Sequence, residues 1–275
     1  MKKLLTFIRF SHTVFAMPFA LGAMFVAARG LPPWRVCGLI VLAMVLARTA
    51  AMVFNRLVDW EIDKRNPRTQ ARHRLVTRTM AVSACVASSV LFLITAQFIN
   101  PLCFVLSPVA LAIVFFYSLT KRFTHFTHVF LGLALAVAPV GAWIAVTGAF
   151  AWPPLVLAAA VVMWLTGFDV IYALQDYEVD KREKLHSLVV WLGPRRAVHL
   201  ALAAHALAFG GLVAFGVVAA LSWMYFAAMP LIFAAFVWEH ILARRGDAAS
   251  INKAFFQANA FVGTVFVVAA FLGTF

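Results

Sequence analysis

The chain has 275 residues, 64% of them hydrophobic and 12% charged, with a formal net charge of +13 and a mean hydropathy of +0.95. A soluble domain carries roughly twice that share of charge. No separate basic domain exists, so the nucleic-acid reading of that charge loses, and the excess Lys and Arg reads as the cytoplasmic loops of a polytopic membrane protein.

Met1-Lys2-Lys3 leads into an apolar run that continues without a small-residue cleavage site, so no cleaved leader is expected. Runs about as long as a bilayer-spanning helix, about 20 residues, cover nearly the whole chain. They predict nine spans, at 7–28, 37–58, 80–99, 102–119, 128–149, 154–175, 198–218, 221–242 and 254–274. The expected fold is all-α: one domain over 1–275, nine transmembrane helices around one central cavity. Connections after spans 3, 5 and 7 are short and uncharged. Those after spans 2, 4, 6 and 8 hold nearly all the Lys and Arg, in 64–78, "TKRFTH", "DKREK" with "GPRR", and "ARRGD". Lys2, Lys3 and Arg9 join them, and only Arg29 and Arg35 fall opposite. The asymmetry predicts an inner-membrane protein with its N-terminus and charged loops in the cytoplasm and its C-terminus outside. Cys37, Cys85 and Cys103 lie singly inside apolar runs and read as packing residues.

Eight of the ten acidic residues fall in two stretches: Asp59, Glu61 and Asp63, then Asp169, Asp176, Glu178, Asp180 and Glu183. Asn55, Asp59 and Asp63 step by four, rising about 6 Å and turning about 40° each time, so they form one polar stripe. Asp169, Tyr172, Asp176 and Asp180 form a second. Asp59 and Asp63 recur as Asp176 and Asp180, both offset by 117 positions, which suggests two faces of one cavity. Glu61 and Glu178 point away and read as solvated or paired with nearby Lys and Arg. Carboxylates at a membrane mouth are costly, about 2.5–3.5 kcal/mol each at a helix centre and less near the interface. Solvated loop charges are the competing reading, but loops do not duplicate helical spacing. Paired carboxylates with an amide oxygen suit Mg²⁺, which completes its shell with water and phosphate oxygens. The expected metal ligands are therefore Asn55, Asp59, Asp63, Asp176 and Asp180, and the expected substrate carries a diphosphate. Lys64, Arg65, Arg68, Arg72, Lys121, Arg122, Lys181, Arg182 and Lys184 flank the stripes and offer phosphate contacts; for each alone, setting topology is the stronger reading. Arg48, inside span 2 and near the face of Asn55, is an intramembrane cation and so a functional candidate, or else the partner of an acid.

These residues resemble a known family. "NRLVDWEID" is similar to the N-x-x-x-D-x-x-x-D motif of the UbiA superfamily of intramembrane prenyltransferases, and "YALQDYEVD" to its second motif, Y-x-x-x-D-x-x-x-D. "FSHTVFAMPFALG", "YSLTKRFT" and "LGLALAVAPVGAWIAVTG" are similar to the 4-hydroxybenzoate polyprenyltransferase branch, closest to UbiA-like enzymes of menaquinone formation by the futalosine route. The resemblance implies nine helices, a cytoplasm-facing cavity and Mg²⁺ held by the four aspartates beside Asn55. It also implies diphosphate contacts from Arg72 and Lys121, with Asn55, Arg65, Arg68, Tyr172 and Lys181 completing the expected substrate-binding set. The implied reaction moves a polyprenyl chain from polyprenyl diphosphate to an aromatic acid of 4-hydroxybenzoate or dihydroxynaphthoate type, in ubiquinone or menaquinone biosynthesis. The chain departs from the family after "NPRT", reading "QARHRLVTRTM" without the usual Pro- and Gly-containing turn, which leaves the phosphate-facing role open between Arg72 and Arg74.

Asp169 is a candidate base for the ring proton or an orienting group for an acceptor hydroxyl; holding a metal ligand is an equal reading. Tyr172 contacts the diphosphate, faces the allylic cation, or packs at the interface. The 27 Phe residues offer a prenyl groove, although lipid-facing and core packing explains most of them. For Ser11 and His12 capping or packing outweighs acceptor contact, and His125, His128 and His186 receive no catalytic role. A transporter would place its acids at mid-membrane beside broken helices. A CDP-alcohol phosphotransferase would carry a D-G-x-x-A-R lead-in, which this chain lacks.

Overall fold

A computed structural model describes Phe7 and residues 17–65, 69–70, 75–245 and 247–275. Ser11, His12, Arg68, Arg72 and Arg74 lie outside the described residues. Every regular element among the described residues is helical: α1 (Met17–Ala28), α2 (Trp34–Val58), α3 (Trp60–Arg65), α4 (Arg78–Ile99), α5 (Pro101–Thr120), α6 (Thr127–Thr147) and α7 (Trp152–Ala173). A 3₁₀ turn at Leu174–Asp176 joins α7 to α8 (Tyr177–Arg182). Then come α9 (Leu188–Leu192), α10 (Pro194–Val218), α11 (Trp223–Ala227), α12 (Met229–Ala243), α13 (Ala248–Lys253), a π-helical turn at Ala254–Ala258, and α14 (Asn259–Leu272).

Local chemistry sets the ends. The Thr77 side chain accepts from Met80 N and that of Asn100 from Cys103 N, capping α4 and α5, and Pro101 occupies the first turn of α5 where no amide hydrogen is needed. Gly148 ends α6 in the left-handed region at φ 69°. Asn100 also donates to Ile144 O at 2.9 Å, tying the start of α5 to the end of α6.

Eight helical segments among the described residues are long and apolar enough to cross a membrane, so the chain is an integral membrane protein. The first of the nine expected spans is represented by the shorter apolar α1, because its N-terminal part lies outside the described residues. The last two spans are not continuous α-helices. Span 8 divides at Ala228, beside Pro230, which lacks an amide hydrogen, and span 9 contains the π-helical turn. Large apolar side chains such as Phe98, Phe104, Leu207 and Phe233 are exposed along the spans, as a lipid-facing surface requires. Trp34, Trp152 and Trp223 stand exposed at helix starts that follow spans 1, 5 and 7, an aromatic belt on the side away from the charged loops.

α7 is the most buried span. It packs on α6 and α10 through small residues. A Cβ at Gly132 would come within 2.8 Å of Val162 O, and one at Gly211 within 2.8 Å of Ala160 Cβ, so glycine sets both helix separations. Phe19 of α1 lies 4.7 Å, ring to ring, from both Trp164 of α7 and Phe266 of α14, at the centre of the main apolar core. Buried Asn259 donates to Glu239 Oε1 at 3.0 Å and to Phe255 O at 3.1 Å, joining α12 to a carbonyl of the π-helical turn. His205 Nδ1 lies 3.0 Å from His240 Nε2 beside this group, while its Nε2 lies 3.2 Å from Trp164 O. A carbonyl only accepts, so Nε2 of His205 carries the proton. Interhelical polar links in membranes contribute about 0.6–2 kcal/mol. Asn259→Leu is therefore expected to lower the unfolding temperature in detergent, as measured by thermal unfolding beside the wild-type chain.

Candidate active site

α2 ends at Val58 and α3 begins at Trp60, but the break does not disrupt the acidic register. Asp59 N donates to Asn55 O at 3.0 Å and Asp63 N to Asp59 O at 2.8 Å, both i→i−4 bonds. Asn55, Asp59 and Asp63 therefore stay on one stripe. The second stripe runs from α7 through the 3₁₀ turn into α8. Both stripes, with Tyr172 and Asp169, line a single chamber of about 750 Å³. The convergence expected from the 117-residue offset is realised.

The chamber is polar at one end and mostly apolar through its depth, where Arg48, Ser107 and Tyr117 also line it. Lys121, Arg56 and Thr69 share the polar end; Met44, Phe92, Ile99, Leu106, Leu135 and Phe168 are among the apolar lining. Cys103 and Lys121, at opposite ends of α5, both line it. Eighteen residues of helix rise about 27 Å, so the chamber crosses most of a hydrocarbon core of about 30 Å.

Cations hold the first stripe in place. Buried Asp59 accepts from Lys121 Nζ at 2.5 Å through Oδ2 and from Arg122 at 3.0 Å through Oδ1. Arg122 also donates to Val58 O at 2.9 Å and Ser118 O at 3.0 Å, satisfying helix-end carbonyls of α2 and α5. Buried Asp63 lies 3.4 Å from Arg56, and its carbonyl accepts from Thr69 Oγ1 at 2.9 Å. Asn55 Nδ2 donates to Ser118 Oγ at 3.4 Å, which leaves its amide oxygen for another partner. Arg56 is thus a part of the site that the sequence did not single out, while Arg122, expected to offer a phosphate contact, is bound to Asp59 and two helix-end carbonyls. The spacing of Arg56 and Asp63, two helical turns, was the available signal.

The other expected residues divide. Tyr172 lines the chamber with its ring 4.2 Å from that of Phe255, so a lining and a packing role coexist. Arg65 and Lys181, expected to bind substrate, do not line the chamber. Arg65 pairs with Glu183 at 3.5 Å, linking the ends of the two acidic segments, and Lys181 lies over the Tyr177 ring at 5.9 Å. Glu61 binds Lys64 at 2.9 Å, which holds its carboxyl below the usual range, and Glu178 is exposed, as their positions on the helix required. His128, which received no role, places Nδ1 2.6 Å from Asp169 Oδ2. Arg48 lines the chamber, and among the described residues no carboxylate lies within ion-pair distance of it. Among the described residues no three His, Cys, Asp or Glu side chains form a preassembled cluster; the carboxylates are spread over two helix ends around one space.

The profile of the UbiA prenyltransferase family matches residues 16–271. A 4-hydroxybenzoate octaprenyltransferase of Alkalilimnicola ehrlichii is 32% identical over 251 residues, covering 90% of this chain and 85% of the relative. Among solved structures, the apo form of a UbiA homolog from Aeropyrum pernix K1 superposes with a TM-score of 0.84 at 28% identity, covering 94% of this chain and 98% of that one. A UbiA homolog from Archaeoglobus fulgidus bound to GPP and Mg²⁺ shares the fold, with a TM-score of 0.76 at 23% identity and 98% of each chain covered.

Proposed function

Because the chain belongs to the UbiA prenyltransferase family, we propose that it transfers a polyprenyl chain from a polyprenyl diphosphate to an aromatic acid, in quinone biosynthesis. The observation that carries this reading is the meeting of both acidic stripes on one chamber whose remaining depth is mostly apolar. The polar end accepts the diphosphate and the apolar depth accepts the prenyl tail. Charge asymmetry between loops puts that polar end at the cytoplasmic face, with the N-terminus inside and the C-terminus outside.

The donor set fits Mg²⁺. Asn55, Asp59, Asp63, Asp176 and Asp180 offer only oxygen, and the A. fulgidus homolog was solved with Mg²⁺. These residues would hold the metal, which when bound supplies positive charge against the diphosphate oxygens. Lys121 brings a mobile point charge to the same end. As the allylic C–O bond breaks, its electron pair leaves with the diphosphate, where Lys121 stabilises the developing charge. A ring carbon of the acceptor then bonds the allylic carbon. The ring C–H bond breaks with its pair returning to the ring, and Asp169 takes the proton.

Depth along the helices fits an acceptor of this shape. Asp169 lies seven residues below Asp176, about 10 Å of helix, and Arg48 lies eleven below Asp59, about 16 Å. Arg48 therefore meets the acceptor carboxylate, with the hydroxyl end toward Asp169 and the diphosphate above. A carboxylate–guanidinium pair would also give a partner to this half-buried cation, which has no carboxylate within ion-pair distance among the described residues.

Labelled polyprenyl diphosphate, presented to the purified protein with 4-hydroxybenzoate, a fused bicyclic aromatic acid and their amides, with and without Mg²⁺, tests this. Mg²⁺-dependent prenylation of a free acid is expected. Arg48→Leu should raise the acceptor KM about 10- to 100-fold, an amide acceptor should lose as much, and the two losses should not add. Prenylation of acid and amide with equal efficiency would remove Arg48 from this role; absence of product with every acid would remove the reaction.

A further inference from the structure

We infer that His128 is a positioning residue that fixes Asp169 against the acceptor hydroxyl, an inference that rests on the prenyl-transfer reading. His128 stands in the first turn of α6 and does not line the chamber; Asp169 stands on α7 and does. Their side chains are 4% and 21% exposed, so the imidazole lies behind the carboxylate as seen from the substrate space. Nδ1 and Oδ2 are 2.6 Å apart, a charge-assisted distance.

The tautomer follows from the other nitrogen. Nε2 of His128 is buried and, among the described residues, has no hydrogen-bond partner. Orphaned buried donors are rarer and costlier than under-satisfied acceptors. Nε2 is therefore the lone-pair nitrogen, and Nδ1 carries the proton and donates it to Asp169. With Oδ2 occupied, Oδ1 is the oxygen left to meet substrate. The donated bond thus selects both the rotamer of Asp169 and the atom that faces the acceptor. A free aspartate on a helix has several staggered rotamers; this one is held from behind.

Backbone geometry supports a built pair. Gly132, one turn beyond His128, lets α6 approach α7 so closely that a Cβ there would lie 2.8 Å from Val162 O. Val162 stands two turns before Asp169. On antiparallel neighbours, the same close approach delivers His128 to Asp169.

The test compares His128→Phe, which keeps an aromatic volume without a donor, with His128→Asn, whose side-chain amide nitrogen takes the place of Nδ1. Wild-type turnover is measured first, so loss of the reaction itself is separated from loss of positioning. His128→Phe is expected to lower kcat about 10- to 100-fold, with the KM for polyprenyl diphosphate within about twofold of wild type, and His128→Asn to recover most of that loss. A packing role would give the opposite ranking, since Phe fills the site better than Asn. Wild-type kcat in a folded His128→Phe protein, or equal damage in both variants at matched thermal stability, would overturn the inference. If His128→Phe does not fold, the decision falls to His128→Asn alone: near-wild-type kcat supports positioning, and a loss of tenfold or more overturns it.

Discussion

Asp176→Ala is expected to reduce prenyl transfer by about 100-fold or more while the protein remains folded. Asp176 sits where the 3₁₀ turn gives way to α8, half-buried and lining the chamber, and it belongs to no part of the apolar core. On the proposed reading, removing its carboxylate takes away one of the oxygen donors that would hold Mg²⁺ from the second stripe. Two measurements separate this from general damage. The Mg²⁺ concentration required for half-maximal rate should rise, because a donor to the cation has gone. Thermal unfolding should shift little, because the side chain is at the chamber surface. Glu178→Ala, two residues away on an exposed face, is the internal control and should match wild type in both. Undiminished turnover in Asp176→Ala would show that the second stripe is not part of the metal site. Asp59→Ala is a less clean probe, since it would leave Lys121 and Arg122 side by side without the carboxylate they share.

The stripes were legible because helical register is local. A four-residue step keeps side chains on one face whatever the helix packs against, and the i→i−4 bonds at Asp59 and Asp63 preserve that step across a visible break. The spans were legible for a similar reason, since each is a continuous apolar run in the sequence. Rotation about the helix explains what misled. Arg65 is two residues from Asp63 and Lys181 one from Asp180, which turns them about 200° and 100° away from the stripes. Closeness in sequence to a stripe residue was not closeness to the chamber. The pairing of His128 with Asp169, 41 positions apart, depends on how α6 meets α7, and Gly132 signals that approach only once Val162 is known to oppose it. Hydropathy also passed over the interruptions of the last two spans, because a π-helical turn and a Pro-marked break are as apolar as the helices they divide.

Lys121 and Arg122 are adjacent and both bind Asp59, yet their substitutions are expected to differ in kind. Lys121 lines the chamber, ends α5 and reaches Asp59 through a flexible stem, so its ammonium can be shared between the carboxylate and an arriving diphosphate. Arg122 does not line the chamber; its guanidinium is committed to Asp59, Val58 O and Ser118 O. Lys121→Met should therefore lower kcat about 100- to 1,000-fold, the range for loss of one preorganised donor to a developing oxyanion, with a small change in thermal stability because Arg122 still neutralises Asp59. Lys121→Arg should recover only part of the rate, since a planar fork does not replace a compact point charge. Arg122→Met should do the reverse, lowering the unfolding temperature by freeing two helix-end carbonyls while sparing kcat in the protein that remains folded. Steady-state kinetics and thermal unfolding on the three variants decide the matter. Equal loss of rate from both methionine substitutions would mean that the two cations act only together, through Asp59, and that neither meets the leaving group on its own.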